Sequence, residues 1–149
     1  VDRAELIAMA ERWDPQAMHL GAAGEAPIAP GVLLMAITVR ALVCSDPRPA
    51  VVAGLGWDEV RFVRPARPGD ELTVERECIE ARLSRTHPGR GIVRNRIRAT
   101  NERAELVLSY SATASRSASG TSSPACCART GGPSARSTCP RPRRRWWRP

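Results

Sequence analysis

No lysine occurs anywhere in this chain of 149 residues; the 23 cationic side chains other than histidine are all arginine. That skew points to a GC-rich gene and carries no functional information. Aromatic residues are scarce, with one Phe, one Tyr and four Trp, so aliphatic side chains must fill any core. No run of about 18 apolar residues exists, which excludes a helical membrane span. No Cys-x-x-Cys pair and no cysteine–histidine cluster at zinc spacing is present, so no metal site is expected. The five cysteines, Cys44, Cys78, Cys126, Cys127 and Cys139, are an odd number. With no signal peptide in view, a reducing, cytoplasmic setting is expected.

Acidic side chains are missing from one region only. Residues 1–115 carry 15 Arg against 15 Asp or Glu and balance to zero, whereas residues 116–149 carry 8 Arg and no acid, so they account for the whole net charge of +8. This division sets the expected organisation. Residues 1–115 form one domain. Residues 116–149, built of Ser, Pro, Ala, Gly, Arg and Cys without any period, form a disordered tail. Such a stretch is also what a GC-rich gene gives when read in a shifted frame. Its arginines could hold phosphate non-specifically, but no nucleic-acid-reading motif accompanies them, and no specific nucleic-acid partner is expected.

What the chain does have is a long apolar helix. From Pro30 to Cys44 only Thr38 and Arg40 interrupt the apolar residues that follow Gly31. A helix apolar nearly all round has no face to give to water and belongs inside something. At about 1.5 Å per residue it spans roughly 20 Å. Before it, residues 2–13 read as an amphipathic helix. Asp2 and Glu5 make a capping-box-like pair, and Leu6, Met9, Ala10 and Trp13 form one stripe. Asp14-Pro15 stops that helix, and residues 14–30 read as a loop.

After the apolar helix come strands. Residues 51–64 change phase between Leu55/Trp57 and Val60/Phe62, which implies a bulge. Residues 71–83 change phase after Cys78. In residues 92–100, Val93, Ile97 and Ala99 alternate with Arg94, Arg96 and Arg98. In residues 105–114, Leu106, Leu108, Tyr110, Ala112 and Ala114 share one face. The expected architecture is α+β: a four-segment antiparallel meander, curved around the central hydrophobic helix.

Two groups in the loop can handle protons. Asp14 and His19 are five apart across a proline, a spacing that suits a loop folding back so that both side chains meet. A carboxylate beside an imidazole can share one water, one group accepting its proton while the other holds it in line. The first N–H groups of the apolar helix, Gly31's first among them, would point out unpaired at the positive end of the dipole, where a carbonyl oxygen gaining charge is stabilised. Spacing alone leaves a plain turn aspartate and a surface imidazole open. His87, in a Pro-Gly turn, reads as solvated, and the arginines of 94–98 read as an exposed strand face.

Three stretches carry a resemblance: Trp13-Asp-Pro-Gln-Ala-Met-His-Leu20, Pro27-Ile-Ala-Pro-Gly-Val-Leu-Leu34, and Gly54-Leu-Gly-Trp-Asp-Glu-Val-Arg-Phe-Val-Arg-Pro-Ala-Arg-Pro-Gly-Asp70. In this order they resemble the MaoC-like dehydratases, the hotdog-fold (R)-specific enoyl-CoA hydratases, over about residues 2–115. The resemblance implies a hotdog fold in which the family's first strand is missing ahead of the first helix. It implies that Asp14 and His19 bind and activate the water added to a 2-enoyl thioester. It implies that the Gly31 N–H binds the thioester oxygen. The substrate would carry CoA, no other cofactor or metal would be needed, and the chain would work as a homodimer. The chain also departs from the family pattern at Gly21, which stands where an acidic residue is common, at Pro30, which stands where Ser or His is, and in the loop from His19 to Gly31, which is several residues shorter. Alternatives within the same fold are a non-catalytic acyl-CoA-binding protein and a thioesterase. The latter needs a carboxylate at the acyl carbon, and the Asp-Pro-x-x-x-His order argues against it.

Overall fold

The computed structural model describes residues 1–21, 24–45, 50–117 and the backbone of 136–137. Helix α1 spans Arg3–Trp13, α2 Ala17–Leu20 and α3 Gly31–Val43. The strands are β1 Val51–Phe62, β2 Thr73–Leu83, β3 Arg90–Thr100, β4 Leu106–Ser117 and the short β5 Arg136–Ser137. Apart from Arg116, Ser117 and the β5 pair, the expected tail lies outside the described residues.

Asp2 caps α1, its carboxylate accepting the Glu5 N–H at 2.9 Å. Leu6 and Ala10 are fully buried, so the expected stripe packs inward. Trp13 does not belong to it. At the last turn of α1 the indole lies exposed, with the Arg12 guanidinium 5.0 Å from its centroid.

The sheet is antiparallel throughout, in the order β1-β4-β3-β2-β5. Strands β2, β3 and β4 form the expected meander. Strand β1 does not join it at β2, as a four-segment meander requires, but pairs with β4 at the opposite side. The reason lies in residues 63–72. Arg67–Asp70 do turn, with Asp70 Oδ2 accepting the Arg67 N–H at 2.8 Å. The segment nonetheless crosses the sheet instead of folding into a hairpin. It is tied to β4 by Val63 N–H to the Val107 carbonyl (2.8 Å) and to the start of α3 by Ala29 N–H to the Ala66 carbonyl (2.8 Å). Both expected bulges are present. Pairing slips within β1 between Gly54 and Gly56 and again between Asp58 and Arg61, and within β2 between Cys78 and Glu80. Each slip adds local twist and helps the sheet curve.

Helix α3 lies on that curve. Leu33, Leu34, Met35 and Ala41 share one core with Val74, Ile97, Ala99, Leu108 and Tyr110. The helix is not covered all round as its composition suggests: Val32, Ala36, Arg40 and Val43 form an exposed stripe. A single sheet reaches only one side of a helix.

Within the interface sits one polar contact. Thr38 Oγ1 donates to the Met35 carbonyl at 2.8 Å, so the Tyr110 hydroxyl, 2.9 Å away, must be the donor to Thr38. The Trp57 ring meets Tyr110 edge-on at 6.3 Å. Losing Thr38 strands a buried hydroxyl, whereas losing the Tyr110 hydroxyl leaves Thr38 still bonded. Thr38→Val should therefore cost about 2 kcal/mol and Tyr110→Phe about 1 kcal/mol in urea unfolding. Burial also pushes the Tyr110 hydroxyl above its ordinary value of 10.0. The folded chain keeps that proton longer than the unfolded chain, so the contribution is intact below the unfolded value and lost as pH rises through the folded one. Tyr110 is the single tyrosine, so tyrosinate absorbance reads this titration alone, and Tyr110→Phe should flatten the alkaline loss of stability.

Candidate active site

Asp14 closes α1, its N–H bonded to the Ala10 carbonyl at 2.9 Å. Pro15 prevents continuation. The expected loop that follows contains one helical turn, α2. Its helix-compatible Ala-Met-His-Leu is started by Gln16 and stopped by Gly21 in the left-handed region at φ 73°. A side chain at Gly21 would also meet Glu25 O and Pro27 Cδ at 3.1 Å. The backbone therefore asks for glycine at the position where an acidic residue is common.

This turn places His19 inward. The residue is buried, and its Nδ1 lies 2.8 Å from the Ile28 carbonyl. Ile28 N–H in turn bonds the Met18 carbonyl at 3.0 Å, so the two strands of the loop are stitched on both sides of the ring. His19 Nε2 lies 3.3 Å from Asp14 Oδ2, and the Asp14 side chain is 28% exposed. The other oxygen, Asp14 Oδ1, accepts the Gln16 amide at 2.6 Å.

The chemistry follows from the donors. A carbonyl can only accept, so the Nδ1 contact fixes the proton on Nδ1. In the neutral ring Nε2 then holds a lone pair and faces a carboxylate that also only accepts. A water donating one hydrogen to each would satisfy both, leaving its oxygen lone pairs directed away from them.

The third element is the start of α3. Leu33 and Leu34 N–H both bond the Pro30 carbonyl, at 3.0 and 3.2 Å. Pro30 offers no side-chain cap. The N–H groups of Gly31 and Val32 are left as the open first donors, at the positive end of the dipole. Ile28, which holds His19, precedes Gly31 by three residues, a chain reach of at most about 10 Å. The structure thus brings Asp14 and His19 together and joins them to Gly31 by a short strap. A Cβ on Gly31 would stand 2.7 Å from Phe62 Cζ, so the helix starts with a glycine because the ring lies on it.

Sequence reasoning missed Gln16, Ile28 and Phe62. Only Gln16 left a signal, as a side-chain donor two residues past the aspartate. His87 is exposed, as expected. Arg96 and Arg98 are exposed too, whereas Arg94 is half-buried. It lines a hollow of about 550 Å³ with Arg82, Asp58, Glu59 and Glu80. That hollow is on the sheet face turned away from α3 and contains neither Asp14 nor His19. Among the described residues no three His, Cys, Asp or Glu side chains converge as a metal cluster, and no helix is long and apolar enough to cross a membrane.

A helix held on a curved antiparallel sheet is the hotdog architecture. A protein from Mycobacterium tuberculosis with a double hotdog fold superposes with a TM-score of 0.63 at 22% identity, covering 81% of this chain and 40% of that one. The family model described as "MaoC like domain" matches residues 13–100, which include Asp14, His19, Gly31 and Phe62. The MaoC-like dehydratase from Rhodospirillum rubrum is 33% identical, with a TM-score of 0.69 over 78% of this chain and 84% of that one. The unliganded R-hydratase PhaJ1 from Pseudomonas aeruginosa is 27% identical, with a TM-score of 0.62 over 78% of this chain and 75% of that one. No curated protein sequence matches the chain. The chain belongs to the MaoC-like domain family, whose members named here are a dehydratase and a hydratase.

The contact between Gly31 and Phe62 gives a test of local packing. Gly31→Ala should lower stability by about 1 kcal/mol while Phe62 is present, because the ring must move. In a Phe62→Ala background the same change should raise stability by about 1 kcal/mol, as alanine is the better helix former. Urea midpoints of the four chains read this reversal of sign.

Proposed function

We propose that this chain is an enoyl-thioester hydratase and 3-hydroxyacyl-thioester dehydratase acting on acyl-CoA substrates in fatty acyl metabolism. The observation that carries the reading is the approach of His19 Nε2 to Asp14 Oδ2 at 3.3 Å, in the loop that leads into the open N-terminus of α3. In the hydration direction, water held by these two acceptors attacks C3 of a 2-enoyl thioester. One of its hydrogens passes to the pair as the C–O bond forms. The double-bond electrons move toward the thioester oxygen, which the Gly31 N–H stabilises. The pair then delivers a proton to C2, so that H and OH have both been added. Dehydration is the same path reversed. The reading needs no metal or redox cofactor, and it sets the chain in the cytoplasm.

Hydration of crotonyl-CoA, followed as loss of enoyl absorbance, tests it. Asp14→Asn and His19→Ala should each lower turnover by roughly two or more orders of magnitude, with the fold intact by circular dichroism. Equal turnover in wild type and Asp14→Asn, or hydrolysis of the thioester in place of hydration, would defeat the mechanism.

The functional unit in this reading is a homodimer. Among the described strands β1 is an edge. It is 12 residues long and apolar from Val51 to Trp57, with Leu55 54% and Trp57 56% exposed, and the stripe of α3 from Val32 to Val43 is open on the same molecule. An unpaired apolar edge seeks another strand, and a second copy of β1 running antiparallel supplies one. Light scattering at micromolar concentration should give twice the chain mass, and Leu55→Arg should shift it toward the single mass. A well-folded wild-type monomer would rule the second copy out.

A further inference from the structure

We infer that Gln16 is a positioning residue for Asp14, its amide selecting which carboxylate oxygen faces His19; for its bearing on catalysis the inference rests on the hydratase reading above. A carboxylate at the exposed end of a helix can turn about both its side-chain bonds. Here one oxygen is held, Oδ1 by Gln16 Nε2 at 2.6 Å, and that leaves Oδ2 for His19 Nε2 at 3.3 Å. The bond is charge-assisted, which shortens and strengthens it.

Gln16 is itself anchored through its backbone to both members of the pair. Its N–H bonds the Asp14 carbonyl at 2.7 Å, and its carbonyl accepts the N–H of His19 at 2.9 Å and of Leu20 at 3.1 Å. The residue that starts α2, and so delivers His19, also holds the carboxylate that His19 meets. An amide suits this place for a chemical reason. It donates to the carboxylate without carrying a charge, so it does not compete with the imidazole for a proton. A glutamate there would share a proton with Asp14, and an alanine would leave the carboxylate free to turn.

Wild type, Gln16→Ala, Gln16→Glu and Asp14→Asn as full chains decide the matter with two readouts. The first is crotonyl-CoA hydration with kcat, KM and pH dependence. The second is the histidine ring nitrogen NMR spectrum, in which His87 serves as an internal reference. Gln16→Ala should lower kcat by about 10- to 100-fold, since a small misplacement of a reacting group can cost on that order, with KM within about twofold. Gln16→Glu should move the acid limb of the pH profile up by about one unit, because two adjacent carboxylates hold a proton between them. The His19 ring signals should move in Gln16→Ala while those of His87 stay. Unmoved His19 signals overturn the inference. So does a wild-type kcat in Gln16→Ala, even with moved signals, since the contact would then not bear on the reaction. If wild type shows no hydration at all, the hydratase reading fails instead, and the ring signals still decide whether Gln16 positions Asp14.

Discussion

Apart from Thr38 and Arg40, helix α3 presents almost nothing that water can hydrate, so it must be covered. Leu33, Leu34, Met35 and Ala41 are covered by the sheet through Val74, Ile97, Leu108 and Tyr110. For one sheet to reach along a helix it must curve. The slipped registers in β1 and β2 are where that curvature is made. The cross-sheet segment 63–72 follows from the same demand. A hairpin there would set β1 beside β2, but placing β1 beside β4 lets Phe62 arrive over Gly31 at the head of the helix. The stripe that stays open, Val32 to Val43, is where the covering available within one chain ends.

The same constraint creates the candidate site. A buried helix has to begin somewhere, and its first N–H groups cannot be paired within it. The chain reaches that beginning through a loop that cannot be left loose, because its backbone runs against the core. It is secured by Ile28 bonding to Met18, Ala29 to Ala66, and the His19 ring to Ile28. Histidine thus serves as a structural tie on one nitrogen, which frees the other for chemistry. The stitched loop and the open helix end are consequences of one burial event, and the strap from Ile28 to Gly31 joins them along the chain.

Period and punctuation made much of this legible in the sequence. The Asp2 cap, the limits of α3, four strands and both bulges are local features, set by residue spacing and by glycine, proline and phase changes. Pairing order was not legible, because the Arg67–Asp70 turn looks the same whether its flanks form a hairpin or cross a sheet. The fate of Trp13 was not legible either, since periodicity says which way a side chain points but not how far the facing layer extends. At the site, the spacing of Asp14 and His19 signalled that they could meet. The Gly31 N–H was foreseeable from helix geometry alone. The Ile28 carbonyl carries no sequence mark, because every residue has one.

That unmarked carbonyl shapes the chemistry more than its anonymity suggests. With Nδ1–H committed to Ile28, Nε2 is the ring nitrogen left to exchange a proton, and it faces Asp14. In the proposed reaction the proton would pass between two acceptors 3.3 Å apart, one on a buried ring and one on a partly exposed carboxylate. A reaction that both takes a proton from water and returns one to carbon needs such a shared holder, since in each direction one step's base is the other's acid. In the same proposal the Gly31 N–H gives up no proton and acts only on charge. In the proposed reaction, proton handling and charge stabilisation fall to separate parts of the chain, the loop and the helix end, joined by the short strap from Ile28 to Gly31.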